Sequence, residues 1–134
     1  MSTTHILEQT KVRSRGRVLS TTLFIVAAGV LTQAAFAGLF ISGTGVARQF
    51  HLWTGVMLPY FALVPTFSAW TNRRRGQVTG RVAAWTTLLM FALWVQEALG
   101  HMPFAVTTAI HVPLGVSLFA GSLLLAIAAR RSGA

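Results

Sequence analysis

The chain has 134 residues, of which 54% are hydrophobic and only 10% are charged, and its mean hydropathy is +0.64. These values exclude an ordinary soluble globular domain. The formal net charge of +9 comes from 11 Lys and Arg against two acidic residues. The basic residues stand in short clusters beside long apolar segments, so we expect a lipid bilayer as the partner and no nucleic acid.

The chain contains no cysteine, and its two acidic residues are Glu8 and Glu97. The lack of cysteine excludes disulfides, thiolate metal sites and covalent attachment of a c-type haem. With so few carboxylates, hydrolytic acid–base chemistry is not expected. Any metal chemistry would therefore depend on histidine, methionine or glutamate.

Four apolar segments follow one another along the chain, at about residues 18–41, 50–70, 82–100 and 107–129. Each is long enough to cross a bilayer, and backbone inside lipid must satisfy its own hydrogen bonds, which favours helices. Short connections place consecutive helices side by side. The sequence predicts an all-α fold, an integral membrane antiparallel four-helix bundle, with residues 1–17 as a cytoplasmic tail and residues 18–134 as one transmembrane domain.

The basic residues are distributed unequally between the connections. Ten of the eleven lie before the first apolar segment, between the second and third, or after the fourth, and Arg48 lies apart from them. Positively charged loops remain on the cytoplasmic side of a membrane. We therefore expect both termini to be cytoplasmic, in a multi-pass protein of a bacterial plasma membrane.

Two histidines occupy matching positions near the outer end of the second and fourth segments. His51 begins the string HLWTG and His111 begins HVPLG, so each stands four residues before a glycine, Gly55 or Gly115. Residues four apart share one helix face, which leaves bare backbone one turn below each imidazole. At about 1.5 Å per residue, the two histidines lie about 33 and about 28 Å from the arginines that end their segments, which is a similar depth.

The other two segments also carry matching polar residues. Gln33 interrupts the first apolar segment, and Gln96 with Glu97 interrupts the third, each before a short connection and then a histidine. This arrangement is typical of a helix pair repeated about an axis along the membrane normal. Such a repeat would set His51 and His111 opposite one another, as the two imidazole ligands of one planar metal macrocycle.

On these features the chain resembles one half of heme A synthase. That membrane enzyme has two four-helix bundles, each with a histidine on its second and fourth helices toward the outer face and haem between them. The resemblance covers the topology of all four segments and, residue by residue, His51 and His111, and it implies that these two residues ligate haem. The chain departs from the family in having one bundle, no outer-loop cysteines and no acidic residue at 42–49.

We therefore expect a membrane haem b protein, with one haem per chain ligated by His51 and His111 near the outer face, for electron transfer or haem handling. Two imidazole ligands leave the iron no open position, which favours one-electron exchange with a quinone or an outer-side electron-transfer partner. Arg48, three residues before His51, is the candidate counter-charge for haem propionates. The remaining predicted cofactor-binding residues are Gly55, Gly115, Gln33, Gln96 and Glu97.

Glu97 is the one acidic residue inside an apolar segment, and it stands four residues before His101. It would either bond to His101 along the helix or serve as a proton carrier, a quinone-binding group or a partner that orients a ligand histidine. Two other functions stay open at this point. One is a cofactor-free accessory subunit of a larger membrane complex or a homo-oligomer, and the other is a non-haem metal site built from His51, His101 and His111.

Overall fold

The computed structural model describes the backbone of residues 3–132 and the side chains of residues 16–132. This part of the chain has no strand, and its helices are α1 (Thr3–Ile41), α2 (Gly45–Phe61), α3 (Leu63–Arg74), α4 (Gly80–His101) and α5 (Ala105–Ser132). Four stretches are long and apolar enough to cross a membrane: Gly16–Ile41, Gly45–Arg74, Gly80–His101 and Ala105–Ser132. The predicted helical class and the four membrane segments are confirmed, and the chain is a multi-pass membrane protein.

The helices extend beyond the bounds expected from hydropathy. α1 begins at Thr3, so most of the residues predicted as a tail continue the first membrane helix as helical backbone. The second segment begins at Gly45 and ends at Arg74, several residues outside the expected range at each end. Residues 1, 2, 133 and 134, and the side chains of residues 1–15, lie outside the described part of the chain.

The second membrane segment consists of α2 and α3, which are separated at Ala62. Pro65 lies in the first turn of α3, where its ring would clash with the carbonyl group of residue 61 in a continuous α-helix. The Ala62 N–H still donates to the Leu58 carbonyl at 3.0 Å, and Thr66 Oγ1 donates to the Ala62 carbonyl at 2.8 Å. The interruption is therefore one residue long.

A glycine ends α1 and turns the chain toward α2. Gly43 has a φ of 101°, a left-handed conformation that glycine adopts without steric cost. The N–H of Thr44 donates back to the Leu39 carbonyl at 2.9 Å, which satisfies one of the last carbonyls of the helix. The tight turn lets α2 begin at Gly45 and brings His51 back beside α1.

Each membrane segment packs against two others. α1 lies against α5 and against the α2–α3 segment, and α4 lies against the same two. Within the described residues, α5 makes no close backbone contact with α2 or α3, and α1 makes none with α4. The four segments therefore surround a common interior in chain order, with α2 and α5 on one diagonal and α1 and α4 on the other.

The apolar core reaches the middle of the bundle at Val30, Leu93 and Leu118, and it is most fully buried at one end. We call it the arginine end, because the connection at residues 75–79 and the arginines Arg17, Arg73, Arg74, Arg75, Arg81, Arg130 and Arg131 lie there. Leu19, Leu23, Val26, Ala69 and Ala83 are almost fully buried in this core. Ser20 Oγ donates to the Ala126 carbonyl at 2.9 Å and joins α1 to α5. The opposite end, with the connections at 42–44 and 102–104, is the histidine end.

Candidate functional site

His51 and His111 meet in the middle of the histidine end. Their ring centres are 6.4 Å apart and their planes are inclined by 70°. Both residues are half-buried. Since the backbones of α2 and α5 make no close contact within the described residues, the two imidazoles reach across the interior between diagonally opposed helices.

Each histidine is held by the backbone of the helix that precedes it in the chain. His51 Nδ1 lies 3.0 Å from the carbonyl oxygen of Gln33 on α1, and His111 Nδ1 lies 3.0 Å from that of Gln96 on α4. A carbonyl oxygen can only accept a hydrogen bond, so Nδ1 is the donor in both rings. In the neutral imidazole this leaves the lone pair on Nε2, which is the arrangement found in metal-ligating histidines.

The side chains of the same two glutamines lie over the two glycines. A Cβ at Gly55 would lie 3.4 Å from Gln33 Oε1, and a Cβ at Gly115 would lie 3.1 Å from Gln96 Nε2. Gln33 Nε2 also donates to the hydroxyl group of Thr54. The open recess expected below each histidine is therefore not present, because amide groups from α1 and α4, and at Gly55 also the Glu97 carboxyl group, occupy the space in front of the glycine backbone.

These contacts make the two halves of the site alike. In the first half, the Gln33 carbonyl accepts from His51 and the Gln33 amide covers the glycine one turn further along α2. Gln96 makes the same two contacts to α5 in the second half. The repeat of a helix pair that the sequence predicts is present in these contacts.

Glu97 and His101 belong to the second half only. His101 Nδ1 lies 3.0 Å from the backbone carbonyl of Glu97 and 3.2 Å from its Oε1. Oε1 accepts no hydrogen bond within the described part of the chain, so its contact with His101 is one of proximity. The local contact between the two residues is confirmed. Glu97 Oε2 would lie 2.9 Å from a Cβ at Gly55, so this carboxyl group reaches from α4 to α2.

A cavity of about 400 Å³ lies between the four segments at the histidine end. Both histidines, both glutamines, both glycines and Glu97 line it, and most of its other lining residues are apolar. Pockets that hold small molecules and cofactors in proteins occupy about 300–1,000 Å³ and combine apolar walls with a few polar groups. The cavity has the size and composition of a ligand site.

Gly100 and Thr54 are site residues that the sequence did not single out. A Cβ at Gly100 would lie 3.0 Å from His111 Cε1, so the imidazole packs directly against the backbone of α4. Thr54 accepts the hydrogen bond from Gln33. The sequence pattern at these two positions was weak, because a glycine near the end of an apolar helix and a threonine one turn after His51 are both common.

Arg48 and His101 stand apart from the histidine pair. Arg48 is exposed on α2, three residues before His51, and it does not line the cavity. His101 lines the cavity, but its side chain is 54% exposed and its Nδ1 is bonded to α4. From residue 16 to residue 132, no three His, Cys, Asp or Glu side chains are grouped so that they could hold a metal ion.

The fold and the site define a class of protein: a helical, multi-pass membrane protein with a paired-histidine cavity. No protein-family model matches the chain, and neither does any curated protein or solved structure. The assignment of a function therefore depends on the geometry of this cavity.

Proposed function

We propose that the chain binds one haem b between His51 and His111 and uses it for electron transfer or haem handling. The observation that carries the proposal is the histidine pair itself. The rings approach one another from diagonally opposed helices, and each Nδ1 is bonded to a backbone carbonyl 3.0 Å away. The chain then presents two Nε2 lone pairs at one level of the membrane.

The separation of the two rings suits two ligands of one metal ion. A bond of about 2 Å from the metal to each imidazole nitrogen, plus roughly 1 Å from that nitrogen to its ring centre, gives about 6 Å between opposed ring centres. The observed separation is 6.4 Å. The pair is therefore close to the spacing that bis-imidazole ligation requires.

Most of the residues around the pair are apolar, and the side-chain amides of Gln33 and Gln96 would have to move aside for a haem to lie against Gly55 and Gly115. The apolar walls of the cavity suit the hydrocarbon surface of a tetrapyrrole, and the glutamine carbonyls would fix the orientation of both ligands. When bound with two imidazoles, haem supplies reversible one-electron chemistry at its iron. A quinone in the bilayer or an electron carrier on the outer side would be the exchange partner.

Arg48 supports the proposal from outside the cavity. It is the one arginine of the described chain that lies at the histidine end, and it precedes His51 by one helical turn. A haem near this end would place its propionates where an arginine side chain could bond to them. We propose a charge-pairing role for Arg48, separate from metal ligation.

We also propose that the bundle is antiparallel, with both termini in the cytoplasm of a bacterial cell and the histidine end facing outward. The seven arginines of the arginine end support this orientation.

The chain has no cysteine, so single introduced cysteines can report on which side of the membrane each end lies. A membrane-impermeant maleimide applied to intact cells should label Ser42→Cys, and it should label Ser132→Cys only after the membrane is permeabilised. The reverse pattern would invert the orientation.

An absorption spectrum tests haem binding. Purified protein, with or without added haemin, should show the Soret and visible bands of low-spin, bis-imidazole haem. His51→Ala and His111→Ala should each abolish that low-spin spectrum. His101→Ala is the matched control, since this residue lies at the same end but bonds to its own helix, and it should leave the spectrum unchanged.

Three results would contradict the proposal in different ways. A colourless protein that shows no Soret band with haemin would exclude haem binding. If unrelated membrane subunits then co-purified in fixed ratio, the chain would be an accessory subunit. Loss of a metal signal with His101→Ala would instead favour a non-haem metal site that includes His101.

A further inference from the structure

The walls of the cavity differ in their exposure. On α1 and α5, the lining residues Leu31 and Val116 are 57% and 65% exposed, and Val112 is exposed as well. On α2 and α4, every apolar side chain of the lining is buried or half-buried, as Val30 and Leu118 are on α1 and α5, and the exposed His101 lies at the end of α4. The cavity therefore reaches the lateral surface of the bundle on the side of α1 and α5.

Gly38 of α1, three residues before the end of that helix, borders the part of this opening that is nearest the histidine end. It lines the cavity and is exposed, and a Cβ placed on it would meet no atom within 4 Å. The three other glycines that line the cavity are Gly55, Gly100 and Gly115, where a Cβ would meet a neighbouring side chain at 2.9, 3.0 and 3.1 Å. The space is thus open at the edge of α1 and filled beside the other helices.

Two of the polar atoms that line the cavity have no partner among the described residues, and both lie on α4. Gln96 Oε1 and Glu97 Oε1 are buried and have no hydrogen-bond partner. On α1, Gln33 is the one polar lining residue, and its amide already donates to Thr54. A molecule in the cavity would meet unsatisfied polar atoms at α4 and apolar surface at the opening.

The opening lies at the depth of the membrane interior. Leu31 stands ten residues before the end of α1 and Val116 eleven residues after the start of α5. At about 1.5 Å per residue, both lie about 15 Å along their helices from the histidine end. Since the hydrocarbon core of a bilayer is about 30 Å thick, this side of the cavity faces lipid tails.

We infer that the cavity opens sideways into the bilayer between α1 and α5 and receives an amphipathic tetrapyrrole from the membrane phase. The hydrocarbon edge of the ligand lies in the opening between α1 and α5, and its propionates lie toward Arg48 at the histidine end. This inference deepens the proposed haem-binding function and rests on it for the identity of the ligand.

Closing the opening tests the route. Gly38→Trp places its Cβ in open space at the cavity lining, whereas Ala35→Trp adds the same side chain at an exposed α1 position outside the lining. Protein in nanodiscs is mixed with phosphatidylcholine vesicles that contain haemin, and the low-spin Soret band is followed in time. Gly38→Trp should slow the uptake of haemin about tenfold or more, because uptake would then require the helices to separate. Ala35→Trp should match the unmodified protein.

A second measurement needs no haem. A nitroxide label on Ala37→Cys, at a half-buried position of the cavity wall, reports whether lipid or water reaches the cavity. Molecular oxygen, which concentrates in lipid, should relax the label more strongly than a water-soluble nickel chelate. Val116→Trp, on the other side of the opening, should reduce the effect of oxygen and provides a second closure should Gly38→Trp fold poorly.

The outcomes separate this inference from the proposed function. Normal uptake by Gly38→Trp, or a label relaxed mainly by the nickel chelate, would overturn the lateral opening while haem binding stands. The absence of a Soret band in every variant would remove haem as the ligand. The nitroxide measurement would then still decide whether the cavity opens to lipid.

Discussion

The two ends of the bundle are packed in opposite ways. At the arginine end, Leu19, Leu23 and Val26 are fully buried in a continuous apolar core. At the histidine end, the four segments border a cavity of about 400 Å³, lined by the half-buried polar side chains Gln96 and Glu97. Within the described chain, a buried oxygen without a hydrogen-bond partner occurs at both ends, at Gln77 in one and at Gln96 and Glu97 in the other. A cavity lowers stability, so it is the cavity that separates a part of the chain that stabilises the fold from a part that is shaped for a ligand.

The same division appears in the contacts between α1 and α5. Near the arginine end, Ser20 of α1 donates to the Ala126 carbonyl of α5, and both residues are buried. Toward the histidine end, Leu31 of α1 and Val116 of α5 are exposed and line the cavity. One helix pair therefore closes the bundle at one end and borders an opening at the other.

Removing volume from the arginine end should give the largest loss of stability. Leu23→Ala deletes a side chain with no exposed surface, and we expect it to lower the free energy of unfolding by about 2–5 kcal/mol, because the lost packing contacts leave a void. Unfolding in mixed detergent micelles measures the change. Leu124→Ala, which removes a side chain that is 66% exposed, is the control and should have little effect. Equal losses in the two variants would show that the arginine end is not closely packed.

Adding volume should change stability in opposite directions at the two ends. Ala69→Leu inserts atoms into the core, where Ala69 has no exposed surface, and should lower the free energy of unfolding by about 1–3 kcal/mol. Ala37→Leu adds the same atoms to the cavity wall and should raise it by about 0.5–2 kcal/mol, as cavity filling often does. The haem affinity of Ala37→Leu should fall. A destabilised Ala37→Leu protein would mean that the cavity is too tightly enclosed to accept three further carbon atoms.

The hydrogen bond that joins α1 and α5 should contribute less. Ser20→Ala removes the donor to the Ala126 carbonyl, and buried hydrogen bonds between membrane helices contribute about 0.6 kcal/mol on average. Thr32→Ala is the control, because Thr32 Oγ1 bonds to Ala28 of its own helix and is exposed. Unfolding measurements should rank Ser20→Ala below Thr32→Ala in stability, and the reverse order would contradict the assigned role of this contact.

Much of the difference between the arginine end and the histidine end could be predicted from the sequence. Hydropathy located the four segments, and the matched spacing of His51 to Gly55 and of His111 to Gly115 indicated a paired site before any contact was known. The partner of each histidine could not be predicted in detail. The Gln33 and Gln96 side chains were expected to serve the site, yet it is their backbone carbonyls that hold the imidazoles. Every residue has a carbonyl group, so no residue type signals this role.

The break at Ala62 and the lateral opening show two further limits. Pro59 and Pro65 stand in the second segment, but the position of the break at Ala62 depends on which carbonyl group the Pro65 ring would meet. The opening depends on how far α1 and α5 lie apart near Leu31, and an apolar sequence looks the same whether its side chains face lipid, core or cavity. Both features are set by packing between helices.

The smallest expected effect distinguishes the backbone of a glutamine from its side chain. Gln96→Leu removes the amide that lies over Gly115 but keeps the carbonyl that accepts from His111 at 3.0 Å. We therefore expect the low-spin spectrum to persist, with a change in haem affinity smaller than the loss caused by His111→Ala. Haemin titration of Gln96→Leu and Gln33→Leu, followed by absorption, measures both halves of the repeat. If either variant lost the bis-imidazole spectrum, the side-chain amide would be required to orient its histidine. Small and equal shifts would instead show that the backbones of α1 and α4 are sufficient to hold the two imidazoles in place.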